Sequence, residues 1–339
     1  MEKNYFKLIF VVSLVISVMG IFSEIFDYFN FTNYKPGTIN MIIQYFLWIF
    51  RVIYVYIGFE RSSLNVYNLI FYILLFFGSI FFYISKGKEL RLIRFFYSVS
   101  VISNIFLLLQ LILGNTVFKK DFNIDAEFQT MMYIHKIIGF LLTIFDVALG
   151  YKLLKFMGLG TELDTFKKQN SDIINVTETP KIDRFIHLFF DTMIMVSLMF
   201  GIFGLMINYY RYQTNRIPDW LINRFVITIF FVIIRFTYYT FFERIFGATP
   251  GKFLTNSRVI TLKSEILDTV NIFERTFYRH IPFEAFSFFG KKGWHDSFSE
   301  TYVVKEKSSN VKSSYIIWAF ILCLAILCFY LYEIFIDKS

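Results

Sequence analysis

The chain is poor in charge. Asp, Glu, Lys and Arg make up 18% of its 339 residues, where soluble domains carry about 25%. Cysteine is nearly missing. Cys323 and Cys328 are the two present, and both lie inside one apolar run, which excludes a disulfide scaffold. The two cysteines would fall on divergent faces of a helix. His135, His187, His280 and His295 show no ligand-type spacing, so no zinc or other metal site is expected. Low charge beside 56% hydrophobic residues excludes disorder. What fills the chain instead is apolar and aromatic, with 22% Phe, Trp and Tyr and a mean hydropathy of +0.54. Run lengths decide between a membrane protein and a very apolar soluble one.

Runs of about 18 or more uncharged residues read as membrane helices. Ser62 to Ser85, Phe95 to Phe118 and Ser313 to Tyr332 contain no charge. Leu8 to Ser23 is shorter, and Lys7 extends it by snorkelling. Four more runs carry isolated ionisable residues. Met41 to Phe59 holds Arg51, and Met131 to Tyr151 holds His135, Lys136 and Asp146. Phe185 to Tyr210 holds His187 and Asp191, and Trp220 to Phe242 holds Arg224 and Arg235. These runs predict an all-α, polytopic transmembrane helix bundle of about eight spans. The first is expected to be a retained helix, because its flanking charge is mixed and no A-x-A-like site follows it.

Residues 1–156 form a five-span amino-terminal region, and 157–183 reads as a polar linker between two membrane halves. The stretch from Glu243 to Lys312 is mixed. Arg258 to Leu262 suggests a short strand. Leu267 to Phe289 is too charged to span and suits an amphipathic helix at the interface. Residues 305–339 hold the last span. The side bearing Glu243 to Lys312 carries 22 Lys and Arg, the other side 9. This bias predicts outside termini and a cytoplasmic 243–312 segment, although Lys3 and Lys7 pull the other way and long loops weigh little. It also accounts for most of the net charge of +8, so no nucleic-acid partner is required.

The second half carries an ordered set of motifs. Arg184-Phe-Ile-His-Leu-Phe-Phe-Asp191 opens a span. Gly247-Ala-Thr-Pro-Gly-Lys252 and Ser257-Arg-Val-Ile260 follow the next one. Arg279-His-Ile-Pro-Phe-Glu284, Gly293-Trp-His-Asp296 and Ser299-Glu-Thr-Tyr-Val-Val304 complete the series. Their order and spacing resemble the RDD family of bacterial membrane proteins, over roughly residues 181–304. The family's arginine and two aspartates map onto Arg184, Asp191 and Asp296. Gly247, Gly251, Lys252 and Trp294 match its other motif positions. His187 departs from the family's small residue, and the third apolar span of many members is too charged here. The resemblance implies a multi-pass protein of the bacterial cytoplasmic (inner) membrane. It also implies transport or cation/proton exchange, as proposed for some members.

A charge inside a lipid-spanning helix costs at least a few kcal/mol unless it faces the protein interior and finds a partner. At about 1.5 Å per residue, Asp191, Arg235 and Asp146 each lie roughly 9–12 Å inside their helices. They are expected to form one layer with Arg51, with Asp191 and Arg235 paired. The layer is either a static ion pair that fixes helix register or a polar path that would carry a small cation or proton. Arg184 is placed at headgroup level or on the 243–312 segment, and Asp296 is a partner for Arg184, Arg279 or a helix terminus. Trp294 is read as an interface anchor. Gly247 to Lys252 fails as a phosphate loop, since Phe246 and Phe253 stand where glycine and Ser/Thr are required. Gly247, Pro250 and Gly251 instead suit a tight turn, with Lys252 on anionic headgroups. No nucleophile accompanies His295 and Asp296, so no catalytic role and no cofactor are expected. The competing function is an accessory or scaffold protein that docks a partner through residues 243–312. A homo-oligomer stays open. In spheroplasts, a membrane-impermeant maleimide should label a cysteine at Lys3 and spare one at Lys291. The opposite pattern would invert the topology.

Overall fold

A computed structural model of the chain describes residues 3–32, 66–117, 126–158, 165–169, 172–214, 216–261, 267–281, 293–307, 315–322 and 324–325, with Leu47 and Phe50. Six helices long and apolar enough to cross a membrane lie among them: Asn4–Asp27, Val66–Ile84, Arg91–Ile112, Lys136–Gly158, Lys181–Arg211 and Arg224–Phe246. The protein is an all-α membrane bundle with little strand. Helix is the physical answer to these runs, because lipid offers no partner for backbone N–H and C=O groups. The expected span from Met41 to Phe59, with Arg51, lies outside the described residues apart from Leu47 and Phe50. Of the run from Ser313 to Tyr332, residues 315–322 and 324–325 are described, as helix. The chain divides into two compact units, Met1–Leu153 with Val311–Ser339, and Leu154–Asn310.

The first unit contains α1 (Lys3–Thr32), α2 (Val66–Ile84), α3 (Arg91–Val117) and most of α4 (Ala126–Gly158). Phe6 of α1 stacks on Phe82 of α2, with ring centroids 5.0 Å apart. Ser13 on α1 shares a 3.1 Å hydrogen bond with the Tyr97 hydroxyl on α3. Just before α3, buried Glu89 accepts hydrogen bonds from Arg91 Nε and Nη2 at 2.8 and 2.7 Å. That pairing outweighs the opposing effect of burial and holds the Glu89 carboxyl below its ordinary value.

The second unit is built around α5 (Lys181–Thr214) and α7 (Arg224–Phe246), with the short α6 (Asp219–Ile222) between them. Pro180 stands just ahead of α5 and Pro218 at the N-cap of α6, positions where proline's missing N–H costs no helix hydrogen bond. After α7 come α8 (Pro250–Phe253), β3 (Ser257–Thr261), α9 (Thr269–Tyr278), α10 (Trp294–Phe298) and β4 (Thr301–Lys305). β3 and β4 pair antiparallel, with Val259 opposite Val303. Side chains alternate between the two faces. Ile260 and Val304 pack on one side with Tyr302, and Val259 packs with Leu267 and Ile272 on the other. The expected strand over Arg258 to Leu262 is therefore present, one residue earlier. The stretch 157–183 is more than a linker. It holds a hairpin of β1 (Thr165–Gln169) and β2 (Asp172–Val176). Its last residues join β4, through Thr179 N–H to Val303 O at 3.0 Å and Lys305 N–H to Thr177 O at 2.9 Å.

Helix α9 has its amphipathicity turned inside out. Asp268 caps its start, accepting from Thr269 N–H at 2.7 Å. Ile272, Arg275 and Thr276 face inward and are buried, while Val270, Phe273 and Phe277 are more than half exposed. Charge inward and aromatic side chains outward is the reverse of a soluble surface helix. It fits a helix whose outer medium is lipid. In bromolipid bilayers, a tryptophan at Phe273, with the four native tryptophans replaced by Phe, should therefore be quenched strongly. One at Glu274 should be quenched less. Equal, weak quenching at both positions would place that face in water or against protein.

Candidate functional site

The site begins where α7 ends. Gly247 takes φ +68° as the C-cap and returns its N–H to Glu243 O at 3.2 Å. An L side chain is disfavoured in that left-handed conformation, so glycine serves here. The chain turns, Thr249 becomes the N-cap of α8, and Pro250 takes its first position. Thr249 does not cap α8 with its own side chain. Asp191 of α5 does so from outside. Its Oδ1 accepts from Gly251 N–H at 2.9 Å and from the Tyr238 hydroxyl at 2.8 Å, and its Oδ2 accepts from the Thr249 hydroxyl at 2.6 Å. One carboxylate thus ties α5, α7 and α8 together. A Cβ on Gly251 would stand 2.8 Å from His187 O and 2.9 Å from Asp191 Oδ1, so residue 251 must be glycine for Asp191 to reach the backbone. His187 is itself hydrogen-bonded through Nε2 to the Thr255 hydroxyl.

The turn carries Lys252 back onto Glu243, which lies one helical turn before Gly247. Lys252 Nζ and Arg279 Nη2 each lie 2.7 Å from Glu243 Oε1, and Arg275 Nε lies 3.2 Å from Oε2. All four side chains are buried. Arg275 reaches onward to Asp296 Oδ1 and to the Thr301 hydroxyl. Asp296 Oδ2 also receives Arg184 Nη1 at 3.2 Å, and Arg184 Nε donates to Thr179 O at 3.3 Å. The half-exposed Glu178 lies 3.5 Å from Arg184 Nη2. The result is a continuous chain of alternating charge from Lys252 to Glu178.

Burial acts differently on its members. It lowers the Lys252 pKa, with Glu243 opposing. Burial would lower Arg279 as well, but the Glu243 carboxylate outweighs it and raises that guanidinium above its ordinary value. Burial pushes the Asp296 carboxyl up. Arg275, His295 and Arg184 outweigh that push and hold it well below the usual carboxylate range.

A cavity of about 40 Å3 opens beside this network, lined by Asp191, Arg235, Tyr239, Lys252, Arg275 and Arg279, among others. Asp191 and Arg235 therefore share a cavity, but among the described residues Asp191 forms no ion pair with Arg235. Three hydrogen-bond donors of α7 and α8 occupy it instead. Asp146 belongs to the first unit, and Arg51 lies outside the described residues. Lys252 is buried on Glu243 rather than on headgroups. Arg184 takes Asp296, and Trp294 is 42% exposed. Among the described residues, no group of three or more His, Cys, Asp or Glu is placed to hold a metal ion.

Sequence reasoning missed Glu243 and Arg275 as members of the site, and offered Arg279 to Asp296 where the structure places it on Glu243. A signal was present. Ile272, Arg275, Thr276 and Arg279 recur at three- and four-residue spacing, opposite Phe273 and Phe277, which marks one helical face. Glu24 and Arg94, both buried in the first unit, escaped notice as well.

Replacing Glu243 with Gln leaves three buried cations without their shared carboxylate, which should cost about 3–5 kcal/mol. Gly251→Ala should cost less, about 1–3 kcal/mol. Thermal unfolding in detergent micelles reads both. A Glu243→Gln protein as stable as the wild type would show that the cluster does not hold the fold.

Searches of curated proteins and of solved structures give no match for the chain. Residues 180–336 match the RDD family. That span contains Arg184, Asp191 and Asp296, together with the Gly247–Lys252 turn that Asp191 caps. The second half of this chain is similar to the RDD family over residues 180–336.

Proposed function

We propose that the protein moves a small ion across the bacterial cytoplasmic membrane, without covalent chemistry, and that Asp146 is the carboxylate that takes up and releases a proton or cation. The observation that carries this is the contrast between two intramembrane carboxylates. Asp191 accepts three hydrogen bonds and acts as a clamp. Asp146 is 6% exposed, and among the described residues it has no hydrogen-bond or ion-pair partner. It sits one turn before Gly150, where α4 meets Val101 and Tyr97 of α3, so it faces the interior of its own unit. Ionisable residues inside membrane helices are rare, face the protein interior and occur along ion and proton paths. Polar groups lie along the same unit. Buried Tyr97 bonds Ser13, and buried Asn68 donates to Glu24 at 3.3 Å.

A second reading draws on the outward Phe273, Phe277 and Phe298, each more than half exposed. On that reading residues 243–312 dock a protein partner, and the chain is an accessory subunit.

In proteoliposomes loaded with a pH-sensitive dye and challenged with alkali-cation gradients, Asp146→Asn should lower proton-coupled flux by an order of magnitude or more. Asp146→Glu should retain it, and both variants should melt near the wild type. Undiminished flux in a well-folded Asp146→Asn protein would defeat the transport proposal and leave the accessory role.

A further inference from the structure

Helix α1 is polar on the face it buries and apolar on the face it exposes. Ser13, Ser17, Gly20 and Glu24 are buried and recur at four-, three- and four-residue spacing, which sets them on one side of the helix. Val11, Val15, Val18 and Phe22 are exposed on the opposite side. From Ser13 to Glu24, at about 1.5 Å per residue, the buried seam runs about 16 Å.

Each end of the seam meets a carboxylate. At one end Ser13 shares its hydrogen bond with the Tyr97 hydroxyl, and the buried Asp146 lies within electrostatic reach of that hydroxyl. Asp146 stands ten residues from one end of its span, Lys136–Gly158, and twelve from the other, close to the middle of the membrane. At the other end Glu24, also buried, accepts from Asn68 of α2 at 3.3 Å. Glu24 lies three residues before its span closes at Asp27. The seam thus leads from the middle of the membrane to one edge. Close packing of helices accounts for the small residues. It does not account for a carboxylate at each end, which is costly in lipid.

The chemistry of the seam selects the ion. A metal cation needs several oxygens on it at once, and these hydroxyls are engaged, Ser13 with Tyr97 and Ser17 with Leu14 O at 2.8 Å. A proton needs only groups that both donate and accept, as Ser and Tyr hydroxyls do. The Tyr72 ring lies over Gly20, where a Cβ would overlap it, and its hydroxyl donates to Phe50 O at 3.2 Å. The ring therefore stands between Ser17 and Glu24.

We propose that this seam is a proton path from Glu24 to Asp146, with Ser13 and Tyr97 as its hydroxyl relay and Tyr72 as its gate, so that the ion moved by the first unit is a proton. The proposal rests on the Asp146 reading and gives it a substrate and a route. When the Tyr72 ring swings off Gly20, water fills the turn between Ser17 and Glu24. The Glu24 carboxyl gives its proton to that water and is recharged from bulk water. At each hydroxyl one O–H bond breaks as another forms, until the Asp146 carboxylate holds the proton and no tyrosinate or alkoxide remains.

With Cys323 and Cys328 replaced by Ala in the full-length protein, single cysteines on α1 test the path without a flux measurement. In proteoliposomes a small cationic methanethiosulfonate, which needs water and an ionised thiol, should modify Ser17→Cys at least tenfold faster than Val18→Cys. Adding Tyr72→Ala should raise the Ser17→Cys rate further. Equal rates at the two positions would show a dry seam and overturn the proposal. In the dye assay Tyr97→Phe should lower proton flux tenfold or more while melting near the wild type, and deuterium oxide should at least halve the wild-type flux. Where Tyr97→Phe does not fold, Ser13→Ala and the isotope effect decide. Flux lost in Asp146→Asn but kept in Tyr97→Phe would overturn the relay and leave the Asp146 reading standing. Flux kept in Asp146→Asn as well would defeat the reading beneath it. A flux insensitive to deuterium would exclude the proton and overturn the path.

Discussion

Three cations on one buried carboxylate hold the second unit together. Glu243 stands at the end of a membrane-spanning helix and receives Lys252, Arg275 and Arg279, each from a different position after that helix. None of these groups tolerates burial alone. Lys252 can arrive only because the chain reverses at Gly247. The two arginines can arrive only because α9 turns its charged face inward. The local geometry of the turn and the orientation of α9 are thus consequences of one electrostatic requirement. Arg275 extends the requirement to Asp296, and Asp296 extends it to Arg184 at the start of α5. Elements far apart in the chain are fixed to each other by charge where a soluble domain would use apolar contacts.

The surroundings explain why this inversion is stable. Outside α9 the phenylalanines of residues 273 and 277 are exposed, which water would penalise and acyl chains would not. Lipid removes the usual reason to place arginine on the outside. The protein interior then becomes the most polar place available, and the guanidinium groups gather there. Small residues permit the close approach. Gly251 admits Asp191 to the backbone of α8, and the carboxylate serves as an N-cap that α8 does not supply for itself.

The intramembrane carboxylates sit in different surroundings. Asp191 is saturated by donors from the α7–α8 region and has little freedom to exchange a proton without loosening the turn. Asp146, on a helix of the other unit, has no such set of donors among the described residues. The stretch that matches the RDD family contains an architectural device, a helix carboxylate clamped onto a glycine turn.

Composition alone determined the class of protein. Uncharged runs of membrane length leave the backbone no alternative to helix, so the spans from Val66 to Ile84 and from Arg224 to Phe246 were legible before any coordinates. The motif order from Arg184 to Asp296 was legible as a family resemblance, and the turn at Gly247 as turn chemistry. Partner choice was not. Depth along a helix suggested Asp191 for Arg235, yet Asp191 is taken by Tyr238, Thr249 and Gly251, because axial depth fixes one coordinate and leaves rotation about the helix free. Glu243 read as the polar end of a span, and only the folding back of α8 and α9 made it a hub. Sequence distance hides such contacts. Glu243 and Arg279 are 36 residues apart and Arg184 and Asp296 are 112 apart, so tertiary packing alone decided which charges meet.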